Sequence, residues 1–122
     1  RFEGEKSILS QIEELLDEPV SLRQKMKARE LNKKGISFFE EGLLAQAIET
    51  FKDALKETPK HPALNLNLVQ VALKSFEGAT PEKDEVEQLQ QALDNVKHIP
   101  SQHRQYKRFI TLSKRVSALT KA

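Results

Sequence analysis

The sequence predicts an all-α protein built from antiparallel helical hairpins. Apolar residues recur every three or four positions in successive segments, which is the spacing of one buried helix face. Proline or glycine separates these segments and marks the turns between helices. The sequence shows no alternation of strand and helix patterns. We expect about six helices, arranged in a single domain over residues 1–122.

Composition narrows the function classes. Hydrophobic residues make up 38% of the chain and charged residues 31%, as in a soluble helical protein with a modest core. The absence of cysteine excludes disulfides, thiolate metal sites and cysteine nucleophiles. No apolar run approaches the roughly 20 residues of a membrane span, so we expect a cytoplasmic protein without membrane contact. The chain begins at Arg1 instead of Met, which we interpret as a piece of a longer protein.

Residues 1–19 predict a leader helix. Ile8, Ile12 and Leu15 fall at helical spacing, and Pro19 ends the segment. We interpret this helix as a cap on the helices that follow, or as a connector to an upstream domain. The alternative is a helix shared with a partner chain.

Residues 20–61 predict a pair of helices. Ser21 and Gln24 can form a capping box at the start of the first helix, which would run from about Leu22 to Glu41. The second helix would run from about Leu44 to Glu57. The side chains expected to be buried are Leu22, Met26, Leu31, Phe38, Ala47, Ile48, Phe51 and Leu55.

Small and aromatic residues stand at fixed offsets in this pair. Gly35 and Ala47 would allow the two backbones to approach, and Phe38 and Phe51 would fill the space beside them. Gly42 is a plausible C-cap, because a positive φ costs glycine little. The complete set is Leu31, Gly35, Phe38, Ala47, Phe51 and Pro59.

The window from Ala28 to His61, which contains this set, resembles a unit of the tetratricopeptide repeat (TPR) family. Residues 62–100 resemble a degenerate second unit, in which Val69 replaces the expected glycine and Ala72 the expected aromatic residue. The resemblance therefore implies an α-α superhelix with one good and one degenerate repeat, flanked by N-terminal and C-terminal helices.

The second unit has its own helix signals. Pro62 suits the first turn of a helix that is apolar almost all round. Thr80 is the candidate N-cap and Pro81 the first residue of the next helix, which would extend to about Lys97. Because this unit is longer than the first, its inter-helix turn is expected to carry an insertion.

Residues 101–122 predict a C-terminal capping helix. Ser101 would cap it, and the helix would run from about Gln102 to Thr120. A trailing amphipathic helix can cover the open face of the last repeat. Its apolar stripe consists of Tyr106, Phe109, Leu112, Val116 and Leu119.

A search of the sequence for chemistry finds no catalytic or cofactor motif. It has no phosphate-binding loop, no glycine-rich dinucleotide fingerprint and no zinc-protease motif. His98 and His103 have no neighbouring carboxylate, and His61 suits a turn. We therefore expect neither an enzyme nor a metal or cofactor site.

The TPR resemblance implies that first-helix residues form a concave surface for a protein or peptide partner. Their amide and cationic groups would bind the backbone or carboxylates of that partner. The implied residues are Arg29, Asn32, Lys33, Ile36, Phe39, Ala63, Leu66, Asn67, Gln70 and Lys74.

One TPR subclass clamps the C-terminal carboxylate of its partner with Lys and Asn from three helices. Asn67 matches one clamp position, and Arg104 and Arg108 could stand for the basic pair on the third helix. Ile36 departs from the pattern, because the clamp needs asparagine there.

Charge is concentrated at the C-terminal end. Residues 95–122 hold 7 basic residues and no acidic residue, although the whole chain has a formal net charge of only +2. The basic patch would consist of Arg104, Lys107, Arg108 and Arg115. It is either a solvated face, a docking site for an acidic protein surface, or a nucleic-acid contact. A basic patch alone supports only salt-dependent, sequence-independent binding, and no recognised nucleic-acid module accompanies it.

Self-association of the chain is a further alternative, since a second copy could cover the apolar flanks of the repeats.

Residues 25–115 also resemble the TPR tails of bacterial signalling proteins that carry a receiver domain. The resemblance rests on LNKKGISFFEEGLLAQAIETFKDAL followed by HPALNLNLVQVALK. It implies the output or scaffold half of a response regulator in a phosphorelay, whose receiver would precede Arg1.

Overall fold

The computed structural model describes residues 21–120, and every regular element in that range is an α-helix. The predicted leader helix in residues 1–19 lies outside the described residues. The all-α class is confirmed for the described range. Its five helices are α1 (Leu22–Glu40), α2 (Leu44–Glu57), α3 (Pro62–Ser75), α4 (Lys83–Asp94) and α5 (Tyr106–Leu119).

Each helix packs against the next one along the chain, and α3 also contacts α5. This order makes α3 the centre of the fold. Only a narrow part of its surface faces solvent, since its neighbours cover most of its circumference. Its buried residues are Leu64, Asn65, Leu66, Leu68, Val69, Val71, Ala72 and Leu73.

The start and end of the first helical pair follow local signals in the sequence. The Ser21 hydroxyl accepts a hydrogen bond from the Gln24 N–H (3.1 Å), and the Gln24 side-chain oxygen accepts one from the Ser21 N–H (3.0 Å). This is the predicted capping box. Gly42 lies in the turn between α1 and α2 with φ +81°, as expected for a C-cap glycine.

The core of the first pair is a close contact between Gly35 and the ring of Phe51. A Cβ atom at residue 35 would lie 2.7 Å from Cε1 and 2.8 Å from Cζ of that ring. Phe51 and Ala47, one turn apart on α2, are both buried. The predicted role of a small residue at position 35 is therefore confirmed.

The second pair is joined by a longer connection. Residues 76–82 link α3 to α4 and include Gly78 at φ +78°. The insertion was expected here, but the predicted start of α4 at Thr80 and Pro81 is wrong. The helix begins at Lys83, because the Glu85 carboxylate accepts the Glu82 N–H at 2.8 Å and so fixes the first turn two residues later.

Two predictions near the C-terminal end are also wrong. Helix α4 ends at Asp94, although Val96 beyond it is still buried. Helix α5 begins at Tyr106, so Ser101 does not cap it. The residues between form turns, in which His103 Nδ1 accepts the Gln105 N–H at 3.0 Å.

Leu22 and Met26 are exposed, contrary to the prediction that they are buried. Their accessible fractions are 73% and 60%. The buried residues of α1 are Ala28 and Gly35. Because successive helix residues are about 100° apart, Leu22 and Met26 lie on the opposite side of α1 from these two.

Asn65 is a fully buried polar residue that the sequence analysis did not single out. Its side-chain nitrogen donates to the carbonyl oxygens of Pro59 and His61, both at 2.9 Å. Its side-chain oxygen accepts from Asn95 Nδ2 at 3.4 Å. Asn65 thus connects the turn before α3 to the end of α4. An asparagine within an almost wholly apolar helix was the signal that could have identified it.

Candidate partner-binding surface

Side chains from α1, α3 and α5 form one polar network. Asn67 Nδ2 donates to Asn32 Oδ1 at 2.8 Å, and Arg108 Nη2 donates to Asn67 Oδ1 at 2.6 Å. Arg108 also donates to Gln70 Oε1, through Nη2 at 2.7 Å and through Nε at 3.0 Å. We call these four residues the polar ladder. It joins three of the residues predicted for the concave surface to one residue of the predicted basic patch.

Arg108 is a half-buried cation surrounded by neutral amides. Within residues 21–120, no carboxylate forms an ion pair with it. Burial lowers the pKa of Arg108 from its usual value, but an arginine guanidinium remains charged at neutral pH. Its Nη1 makes only a long contact of 3.4 Å with Gln105 Oε1. The Nη1 edge of the guanidinium is therefore the part most available to a further acceptor.

A small depression of about 70 Å³ lies beside the polar ladder. Its lining combines four apolar side chains with three of the four ladder residues. Ile36 on the wall is 39% exposed, which is high for a large aliphatic residue next to a core. An apolar wall beside a few polar groups is the usual composition of a small binding site. The lining residues are Ile36, Phe39, Phe51, Asn67, Gln70, Val71 and Arg108.

The other residues predicted for the concave surface divide into exposed and buried ones. Arg29, Lys33 and Lys74 are exposed, and Lys74 forms an ion pair with Glu77 at 3.2 Å. Leu66 is completely buried, so the prediction that it contacts a partner is wrong. The reason is that α2, α4 and α5 all pack on α3, and Leu66 points into that packing.

The predicted basic patch is divided in the structure. Arg104, Lys107 and Arg115 are exposed, and none of them has an ion-pair partner in the described part of the chain. Arg108 instead turns towards α3 and belongs to the polar ladder. The three exposed cations and the half-buried Arg108 thus lie in different chemical environments.

The implied carboxylate clamp meets a specific obstacle at Asn67. Both polar atoms of its side chain are already hydrogen-bonded, one to Asn32 and the other to Arg108. Without breaking these bonds, Asn67 can offer a terminal carboxylate only the second N–H of its Nδ2. Ile36 adds an apolar surface where the clamp pattern needs an amide.

A wider groove of about 290 Å³ lies between α4 and α5. Its lining includes the apolar side chains of Leu93, Phe109 and Val116 and hydroxyl groups such as those of Ser113 and Ser117. Its titratable lining residues are Asp94 and Lys97, which form an ion pair at 2.9 Å. Over residues 21–120, no group of three or more His, Asp or Glu side chains could hold a metal ion. In the same range, no helix combines the length and apolar character that a membrane crossing needs.

No protein-family model matches the chain, and no curated protein and no solved structure matches it. The TPR resemblance therefore remains a sequence-based prediction. The polar ladder and the depression are the structural features that bear on function.

Proposed function

We propose that this chain is a non-catalytic protein-interaction module of the TPR type. It binds a segment of a partner protein across α1, α3 and α5, with the polar ladder and the Ile36 depression at the centre of the contact. The observation that carries this proposal is the juxtaposition of Arg108, a half-buried cation without a carboxylate partner among the described residues, and Ile36, an exposed aliphatic side chain.

The guanidinium of Arg108 supports a partner that supplies an acceptor. A cation removed in part from water is stabilised most by an ionised acceptor, and charge-assisted hydrogen bonds to carboxylates are stronger than those to neutral amides. A carboxylate side chain or a backbone carbonyl of the partner would approach the Nη1 edge, where the existing contact is long.

The depression supports an apolar side chain next to that acceptor. Ile36 and Phe39 would cover it, and the neighbouring ladder would fix the direction of the partner backbone. Arginine and aromatic residues are enriched among the few interface residues that dominate binding energy. A short motif with one acidic and one apolar residue therefore suits this surface.

The wider biological role follows only from resemblance. The likeness to the TPR tails of response regulators supports a cytoplasmic role as an output or scaffold module in bacterial signalling. Such a module contacts other proteins and needs no cofactor.

A second candidate function is salt-dependent association with nucleic acid. The observation that favours it is the exposure of Arg104, Lys107 and Arg115 without ion-pair partners in the described range. Binding of this kind would weaken steeply as salt is raised, because it releases counterions from the phosphate backbone. A homodimer is the remaining alternative, and light scattering on the chain would detect it.

A peptide-library selection on the immobilised chain, carried out with nuclease present, tests the proposal. We expect selected peptides to share an acidic and an apolar residue. Substitution of Arg108 by Gln should weaken their binding by about tenfold or more, as loss of a charge-assisted bond predicts. Lys107→Gln is the matched control, because Lys107 is an exposed neighbour with the same charge.

Three results would contradict the proposal. One is a failure to select any peptide in the presence of nuclease. Another is an equal loss of binding for Arg108→Gln and Lys107→Gln, which would indicate general charge attraction. The third is retention of full affinity by Arg108→Gln.

A further inference from the structure

An apolar and cationic stripe runs along the outer side of α1. Leu22 and Met26 are the most exposed large hydrophobic residues in the described range, and Arg29 and Lys33 continue the same line. The intervals between the four residues are four, three and four positions, which keeps them on one side of an α-helix. We call these four residues the outer stripe.

Helix α1 also carries an unbalanced positive charge. It holds six basic residues and two acidic ones. Over residues 21–120, all four ion pairs lie elsewhere, so none of these cations has a carboxylate within 4.0 Å. An exposed apolar pair flanked by unpaired cations fits an occupant that is both apolar and acidic. The basic residues are Arg23, Lys25, Lys27, Arg29, Lys33 and Lys34.

The sequence of residues 1–19 has the complementary chemistry. It contains six acidic residues and two basic ones. Its apolar residues Ile8, Ile12 and Leu15 are separated by four and three positions. Read backwards from Leu15, these intervals are three and four, the same as the intervals from Met26 to Arg29 and on to Lys33.

We propose that residues 1–19 occupy the outer stripe of α1, running antiparallel to it. Leu15 then lies against Met26, Ile12 against the aliphatic stem of Arg29, and Ile8 against that of Lys33. The acidic residues among 1–19 lie close to the cations of α1. The contacts named here end at Lys33, one turn of α1 before Ile36, and the cross-linking test below does not depend on the proposed function.

Chain connectivity favours this segment over a separate partner. Only Val20 and the cap residue Ser21 stand between the segment and α1, and Pro19 disfavours a continuous helix through this point. Helix–helix connections in compact domains are commonly about two to eight residues long. A segment tethered this closely has an effective concentration on the order of millimolar or more, which a free partner or a second copy must exceed.

Occupancy of the stripe also has a consequence for the proposed partner surface. Arg29 and Lys33 belong both to the outer stripe and to the residues predicted to contact a partner. The docked segment would cover them, so a partner would meet α1 mainly at Asn32 and Ile36. Partner contacts would then centre on α3 and α5.

Cysteine cross-linking in the full chain tests the inference directly, because the native chain contains no cysteine. The test variant carries Leu15→Cys and Met26→Cys. The control carries Leu15→Cys and Lys27→Cys, whose second site is one residue further along but about 100° around the helix. Disulfides need Cα atoms within about 7 Å, so the test pair should oxidise within one chain at least about tenfold faster than the control pair.

Each other outcome of this cross-linking experiment overturns the inference. A disulfide found only in covalent dimers assigns the stripe to a second copy. Equal rates for the two pairs indicate chance encounters of an undocked segment. If the test pair forms no disulfide, the outer stripe is assigned to a separate acidic partner.

A charge exchange tests the electrostatic part of the same inference. Glu13→Arg should slow intramolecular oxidation of the test pair at low salt several-fold, and adding Arg29→Glu should restore it. A rate that Glu13→Arg leaves unchanged, or that the second substitution slows further, contradicts the proposed arrangement.

Discussion

The two helical pairs of this protein achieve similar burial by different means. In the first pair, Gly35 lets α1 approach so closely that the ring of Phe51 fills the space that a Cβ atom would take. In the second pair, Val69 stands where the repeat pattern would place glycine, and it is completely buried. The turn between α1 and α2 has three residues, whereas seven residues connect α3 to α4.

This difference shows that close approach is one way to build a helical pair, but it is not required. The first pair depends on one tight contact between a small residue and a ring. The second pair depends on α3, which buries apolar side chains against α2, α4 and α5. We therefore expect single substitutions at the Gly35–Phe51 contact to lower the stability of the first pair strongly. In the second pair, the effects of single substitutions should differ less from one position to the next.

The largest effect is expected from removing the ring in the first pair. Phe51→Ala should lower the free energy of unfolding by about 3–5 kcal/mol, because it leaves a cavity under Gly35. Urea denaturation followed by circular dichroism measures this. A loss of unfolding free energy below about 1 kcal/mol would mean that the Phe51 ring does not hold α1 and α2 together.

Adding one methyl group to the same contact should also destabilise the protein. Gly35→Ala places a Cβ atom 2.7 Å from a buried ring. Overpacking typically costs about 1–3 kcal/mol, which exceeds the roughly 1 kcal/mol gained in helix propensity. The control is Ser37→Ala on the exposed side of the same helix, which should not lower stability. A Gly35→Ala protein more stable than the wild type would contradict the close contact.

The turn that links the two pairs is held by Asn65. Asn65→Ala removes the donor to the carbonyl oxygens of Pro59 and His61. Loss of a buried hydrogen-bond partner should cost about 1–3 kcal/mol. Hydrogen exchange should show faster opening at the start of α3 than at the start of α1. Equal opening at both helices would indicate that Asn65 does not hold the turn between the pairs.

The smallest effect is expected at the start of the first pair, where Ser21 caps α1. Ser21→Ala removes one half of the capping box and should cost about 0.5–2 kcal/mol. Thermal unfolding compared with that of Ser37→Ala would measure it. Identical unfolding midpoints for the two variants would show that the cap contributes nothing.

Local signals explain which parts of the fold could be predicted from sequence. The predicted bounds of α2 are those observed, and the cap at Ser21 and the positive φ of Gly42 were also predicted. Each depends on residues within one turn of the helix end. The start of α5 was not predicted, because the turns before it include contacts such as that of His103 with Gln105, which sequence spacing does not reveal.

Tertiary packing explains what the sequence could not predict at the candidate site. Asn32, Asn67 and Gln70 were expected on one surface because the TPR resemblance implies that first-helix residues line it. The clamp resemblance also named Arg108 together with Asn67, but the hydrogen bonds from Arg108 to Asn67 and Gln70 depend on the contact between α3 and α5, which no local pattern encodes. The predictions that Leu66 contacts a partner and that Leu22 is buried were wrong for the same reason, since the exposure of each residue depends on which neighbours cover its helix.

The most direct test of partner binding at the polar ladder uses two adjacent residues of α1. Ile36 lines the depression, and Ser37 is exposed beside it. Calorimetric titration with a selected acidic peptide should give a Kd at least about tenfold weaker for Ile36→Asp than for Ser37→Asp, with both variants folded by circular dichroism. Equal affinities for the two variants would show that the partner binds elsewhere.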